Sequence, residues 1–234
     1  MVHNNIGVNG GDVLTVIKVG VTGAQNSGKT CFINDIADSL EKQGRKTIIL
    51  NETARACPLP INEKCFLSTQ LWLALSQITK EIEMSFSKKY DDENAVLLTD
   101  RAILDNYAYA LSFEIRKRKH FAGAQILKNI LPYWARSYDT VFYLKPLPQP
   151  ITDDGVRSID PGWQREIDRI ISSTIQHYRL NNGVVHTIHT TNREGRVEEA
   201  LLYLTPLLQQ KNKNVERKSD YTVQEQIPVQ EVFL

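Results

Sequence analysis

"GAQNSGKT", residues 23–30, decides the fold. Its spacing, G-x-x-x-x-G-K-T, makes a loop whose backbone N–H groups wrap a phosphate chain. What flanks it agrees. "LTVIKVGVTG", residues 14–23, is a β-branched run ending in glycine, which predicts a strand. From about Thr30 to Gln43 the apolar residues Phe32, Ile33, Ile36 and Leu40 recur at helical spacing, which predicts an amphipathic helix. Within the loop Gly23 permits the turn and Gly28 the close approach of backbone to phosphate. Ala24, Gln25, Asn26 and Ser27 form its arch. Lys29 is a point charge for the β- and γ-phosphates, and the Thr30 hydroxyl is placed to ligate Mg²⁺. Cys31 opens the helix beside them and reads as a small packed thiol, or, if exposed, as one whose pKa the helix dipole lowers.

Outward from the loop, strands and helices alternate. "KTIIL" (46–50), "AVLLTD" (95–100), "TVFYLKPL" (140–147) and "VVHTIHT" (184–190) are four more strands. Helices are predicted over about 62–88, 104–118, 122–137, 161–178 and 193–208. In the second helix Leu67, Leu71, Leu75, Ile78 and Ile82 form one apolar stripe. Such alternation means an α/β fold with a parallel sheet covered on both faces. Residues 1–12 are polar and read as a flexible lead-in, residues 13–209 as one domain, and residues 210–234 as an extended or disordered tail.

The 234 residues suffice for one sizeable core, and the net charge of +1 points to neither a nucleic-acid nor a membrane-surface specialist. Arg116 to His120 is a local basic run, read as a solvated helix end or as a polyanion site. Cys31, Cys57 and Cys65 are odd in number and lack a C-x-x-C pair, which favours free thiols in a reducing compartment. No run approaches a bilayer-spanning length. A cytoplasmic protein is expected.

An N-K-x-D guanine-reading segment and an L-S-G-G-Q signature are both missing from the sequence. Three other stretches carry the chemistry. "NETAR" follows the second strand, so Glu52 and Arg55 emerge at the carboxyl end of the sheet, where open α/β folds bind ligands. A carboxylate there can take a proton from an acceptor hydroxyl, and the arginine fork can hold an anion; a surface salt bridge is the alternative. "AVLLTDRAILDNYAY" ends an apolar strand in Asp100, which places a carboxylate beside the metal, or merely caps the next helix. Arg101 can reach the transferring phosphoryl group or the acceptor. For Asp105 a helix cap explains as much as function does. "ITDDGVRSIDPGWQREIDR" reads as a lid that brings Arg157, Arg165 and Arg169 over the γ-phosphate and excludes water. Arg165 and Arg169 share one helix face, and either both point inward or pair with Asp160, Glu166 and Asp168.

In the order "GAQNSGKT", "NETAR", "LLTDRAILDNYAY" and "DDGVRSID", the chain resembles the P-loop nucleoside and nucleotide kinases. It is most similar to the kinase domain of bacterial ribosylnicotinamide kinases and the AAA-type ATPase-like proteins grouped with it. The likeness spans about residues 16–204. It implies a P-loop NTPase three-layer fold with a five-stranded parallel sheet in the order 2-3-1-4-5 and a helical lid. It further implies ATP with Mg²⁺ as donor, held by Thr30 and Asp100, and a small acceptor carrying a sugar hydroxyl or a phosphate, of the nucleoside, nucleotide or nicotinamide riboside class. By position Glu52 matches the base of deoxynucleoside kinases, Asp100-Arg101 their acidic-Arg pair, and "TTNR", ending in Arg193, the place where adenine is contacted. Arg55 beside Glu52 suits a phosphate acceptor as well as a hydroxyl.

Gln70, Gln77 and Glu81 share one face of the second helix, where they either read the edge of an acceptor base or meet solvent. Trp72, Tyr107 and Tyr109 either stack on that base or pack in the core. His186 and His189 fall on opposite faces of a strand, which argues against joint metal ligation. The expected activity is transfer of the γ-phosphoryl group of ATP. Rival readings are a nucleotide-binding regulator and, more remotely, a nucleic-acid 5′-end kinase. A homodimer is left open.

Overall fold

The structure, a computed structural model, describes residues 16–51, 56–60, 67–86, 95–117, 122–149 and 159–222. Five strands, β1 (Ile17–Thr22), β2 (Thr47–Leu50), β3 (Val96–Asp100), β4 (Thr140–Leu144) and β5 (Val185–Ile188), form one sheet in the order β2-β3-β1-β4-β5. All of its pairings are parallel. This is the P-loop NTPase architecture expected from the sequence. Every residue of β1, β3 and β4 is buried, as a strand covered on both faces must be.

The helices are α1 (Lys29–Lys42), α2 (Leu67–Ser85), α3 (Ile103–Lys117), α4 (Ala122–Trp134), α5 (Pro161–His177) and α6 (Arg193–Thr222), with a 3₁₀ turn at Ala135–Ser137. Alternation along each strand sends successive side chains to opposite faces. Val19, Val21, Leu98, Phe142 and Leu144 meet Phe32, Ile33, Ile36 and Leu40 of α1 and Ala200, Leu204 and Leu208 of α6. Val141, Tyr143 and Val185 face the other way, onto α3, α4 and α5.

Two expectations do not hold in full. The change in polarity after Leu208 predicts the end of the last helix there, whereas α6 continues to Thr222. Polarity does not stop a helix, and residues 209–222 lack the strong breakers Gly and Pro while supplying the helix formers Gln, Lys, Glu and Arg. The second holds only in part and concerns α2, where Leu71 and Ile78 of the stripe pack against the core. Leu75 and Ile82 of its apolar stripe are exposed, and the polar residues Thr69, Gln77 and Glu81 are buried. The cause lies in β1. Lys18 occupies a position facing α2 and is buried, so it requires a buried counter-charge, which Glu81 provides at 3.3 Å.

The Lys18–Glu81 pair is enclosed by partners. Lys18 Nζ donates to Ser137 Oγ and lies over the rings of Trp134 and Tyr138. Glu81 accepts from Trp134 Nε1, the Tyr138 hydroxyl and Gln77 Nε2. Desolvation lowers the Lys18 pKa against the pull of Glu81. For Tyr138 desolvation raises the pKa, and Glu81 adds to it.

Candidate nucleotide site

At the carboxyl end of β1 the chain turns through Gly23, where a Cβ would fall against the Leu144 carbonyl oxygen of neighbouring β4. Asn26 adopts φ 58°, a left-handed conformation that asparagine tolerates. Gly28, at φ 81°, is the N-cap of α1. The loop is tied on three sides. From the β4 side, Leu147 N donates to Asn26 O, and Asn26 Nδ2 donates to Gln149 O. On the α3 side, the buried Asp105 carboxylate accepts from Gly23 N at 3.2 Å and from Ala102 N at 2.9 Å. The second contact is half of a capping box, so Asp105 both caps α3 and anchors the loop. From α5, Gln164 Nε2 donates to Gln25 O at 2.7 Å.

Lys29 Nζ curls over the loop and donates to Gly23 O and Ala24 O, at 2.6 and 3.0 Å. Next to it, Thr30 Oγ1 donates to Asp100 Oδ2 at 2.7 Å. The sequence assigned both residues to a metal, and the donor set suits one: a hydroxyl and a carboxylate oxygen are the hard ligands that Mg²⁺ takes, with water completing its shell. Cys31 is exposed, which corrects the packed-thiol reading. Its place in the first turn of α1 leaves the inner face to Phe32 and Ile33.

Arg101, directly after Asp100, has φ 108°, a region costly for a residue with a Cβ. Two donors hold its carbonyl there, Thr99 Oγ1 at 2.9 Å and Gln77 Nε2 at 2.8 Å. The side chain then lies across Tyr109, its Cζ 5.0 Å from the ring centroid. The Tyr109 hydroxyl donates to Gln25 Oε1, and Trp163 of α5 packs edge-on against the same ring. Arg101, Tyr109 and Gln25 thus form one wall beside the loop.

Other expected site residues fall elsewhere. Gln77 and Glu81 serve the internal network described above, so they neither read an acceptor nor form a solvent face; apart from their bond to each other, their partners lie far away in sequence, beyond the reach of helical spacing. Gln70, two turns earlier, is half-buried. Tyr107 and Tyr109 are buried. Arg193 holds Asp35 of α1 in a two-pronged ion pair at 2.6 and 2.7 Å, and its pKa is raised by that partner. Arg165 and Arg169 are exposed on α5. Their candidate partners are engaged otherwise: Glu166 with Ser112 and Arg116, Asp160 with Gly162 N and Arg116, Asp168 with the Tyr143 hydroxyl. Arg116 of the basic run is therefore ion-paired, and it also lies over Trp163. His186 stacks on Tyr203 of α6. Glu52, Arg55, Cys65, Arg118 to His120, Asp153, Asp154 and Arg157 lie outside the described residues.

Arg196 belongs to none of the motifs of the sequence. This arginine of α6 is 8% exposed and reaches under the loop, where Nη1 donates to Ser27 O at 2.9 Å and Nε to Thr190 O at 3.1 Å. No motif spacing signals it.

A family model described as an AAA domain matches residues 18–196. The chain belongs to this AAA-domain family. No curated protein matches it. The matched span runs from the buried lysine of β1 to the buried arginine of α6 and contains the whole loop. For an AAA domain, the geometry means nucleotide binding coupled to hydrolysis or transfer. No helix among the described residues is long and apolar enough to cross a membrane.

Proposed function

We propose that this AAA-domain protein is a phosphotransferase that moves the γ-phosphoryl group of ATP, with Mg²⁺, to a small acceptor. The acceptor class is a nucleoside, a nucleoside monophosphate or a related ribosyl compound such as nicotinamide riboside. The observation that carries the reading is the grouping of Lys29, the Thr30–Asp100 contact and Arg101 at the carboxyl ends of β1 and β3. The sheet order supports it, being the one the kinase resemblance implies.

In this reading Lys29 neutralises charge on the phosphates, and Thr30 and Asp100 hold Mg²⁺, which when bound withdraws charge from the phosphate oxygens. Arg101, steadied by Tyr109, faces the acceptor side. An acceptor oxygen attacks the γ-phosphorus in line as the bond to the bridging oxygen of ADP breaks. A hydroxyl acceptor gives up its proton, for which Glu52 is the proposed base. A phosphate acceptor has no such need, and Glu52 and Arg55 then orient it. Arg157 and Arg165 are proposed to close over the transferring group. The setting is proposed to be cytoplasmic, without nucleic acid or membrane, and a homodimer is compatible with it.

The test is incubation with Mg²⁺ and γ-labelled ATP against nucleosides, nucleoside monophosphates and nicotinamide riboside. Label should enter one acceptor class. The match to an AAA domain favours a second reading, a regulator that hydrolyses nucleotide. Label found only as free phosphate would establish that reading and sink the first.

A further inference from the structure

Arg196 presents an unusual electrostatic situation. Its guanidinium is buried, yet no carboxylate lies within ion-pair distance among the described residues. Glu199, one turn further along α6, is engaged with the backbone N–H groups of His189 and Thr190. Burial disfavours the charged form of Arg196, as the lowered pKa of the group reflects. Glu199 offsets that only in part, acting at longer range while bonded to backbone N–H groups, and a buried cation so weakly compensated is costly beside a loop of the phosphate-binding pattern.

The carbonyl that Arg196 grips belongs to the peptide between Ser27 and Gly28. That peptide is trans, since no cis bond occurs among the described residues. A trans peptide points its C=O and N–H in opposite directions, so the Gly28 N–H is turned away from α6. A charged donor on the carbonyl also withdraws electron density from the amide and strengthens its N–H as a donor. A Cβ on Gly28 would sit 3.2 Å from Arg196 Nη1, so the guanidinium packs closely against this end of the loop. The neighbouring Ser27 hydroxyl is an independent sign of a ligand. It is buried, faces Gly23 across the loop and has no hydrogen-bond partner among the described residues.

We propose that Arg196 is a positioning residue of the phosphate site, aiming and polarising the Gly28 N–H toward a bound polyphosphate whose charge completes that of the buried guanidinium. The inference rests on the nucleotide-binding half of the proposed function and is independent of transfer.

Calorimetric titration of the full chain and its Arg196→Lys and Arg196→Gln variants with sodium tripolyphosphate, ADP and adenosine tests it. Arg196→Gln should weaken tripolyphosphate and ADP about tenfold, the worth of one charge-assisted hydrogen bond. Adenosine binding should not change. Arg196→Lys, which keeps the charge, should stay within about threefold of wild type for both anions. Equal losses for adenosine and tripolyphosphate, or none for tripolyphosphate, overturn the proposal. Should the glutamine variant not fold, NMR on the wild-type protein decides. Tripolyphosphate must then shift the Arg196 Nε–H and Gly28 N–H resonances together, and a Gly28 shift without Arg196 overturns it. Anion binding that follows Arg196 in a protein that transfers no phosphate would sink the kinase reading alone.

Discussion

Thr30 Oγ1 and Asp100 Oδ2 meet at 2.7 Å, which joins the first turn of α1 to the last residue of β3. Because β1 and β3 are hydrogen-bonded neighbours, with Val21 opposite Asp100, this contact is held by the sheet and not by a mobile loop. Asp100→Asn keeps an acceptor for Thr30 but removes the charge. The half-saturating Mg²⁺ concentration should rise by about tenfold or more, equivalent to losing a single charged ligand interaction. Lys29→Ala should lower turnover by about 10²- to 10³-fold with an unchanged circular dichroism spectrum. Wild-type turnover in Lys29→Ala would remove the basis for the site.

Arg101 combines backbone strain with a charged side chain, and two substitutions separate them. At φ 108° glycine is at ease and alanine is not. Arg101→Gly should therefore be more stable than Arg101→Ala by about 1 kcal/mol in urea denaturation. Both should lose transfer while retaining ADP affinity. Equal stabilities would show that the conformation relaxes once the side chain is gone.

The buried Lys18–Glu81 pair predicts a pattern of non-additivity. Glu81→Leu leaves the Lys18 ammonium without its counter-charge and should cost about 3–5 kcal/mol. Adding Lys18→Met should restore at least half of that loss, because the isolated charge goes with it. Additive losses in chemical denaturation would mean that the pair is not coupled as its geometry indicates.

Asp168 gives a pH test. Burial raises its pKa above the ordinary aspartate value, against smaller opposing pulls from the Tyr143 hydroxyl and Lys145. The folded state then holds this proton more tightly than the unfolded chain, and stability from this group falls as pH rises through the folded pKa. Asp168→Asn, which does not ionise, should gain stability relative to wild type between pH 4 and pH 7. A constant difference across that range would contradict the assignment.

The loop, the parallel sheet and a carboxylate at the end of the third strand were legible from local pattern, namely glycines at fixed spacing, alternating elements and an apolar run before Asp100, whereas the strand order came from the resemblance to the P-loop kinases. The face of α2 was not. Leu71 and Ile78 of its stripe do pack on the core, but the helix also turns Gln77 and Glu81 inward to meet a lysine of β1, 63 residues before Glu81, and leaves Leu75 and Ile82 outside. Arg196 was hidden for a related reason. It bonds backbone carbonyls, 169 residues away in the case of Ser27, and a carbonyl leaves no trace in the sequence. Asp105 was legible as a cap but not as an anchor of Gly23, since only the fold brings the two together.

The central position of β1 bears on how the chain is made. Of the described strands it is the first to be synthesised, yet its two neighbours begin at Val96 and Thr140. Until both have been synthesised, the nascent chain carries an apolar strand with two open edges. Open edges invite wrong partners, and pairings this distant in sequence form slowly. A chain interrupted before about residue 145 lacks β4 beside its phosphate loop, and one interrupted before α6 lacks Arg196, so full nucleotide affinity should emerge only late in synthesis.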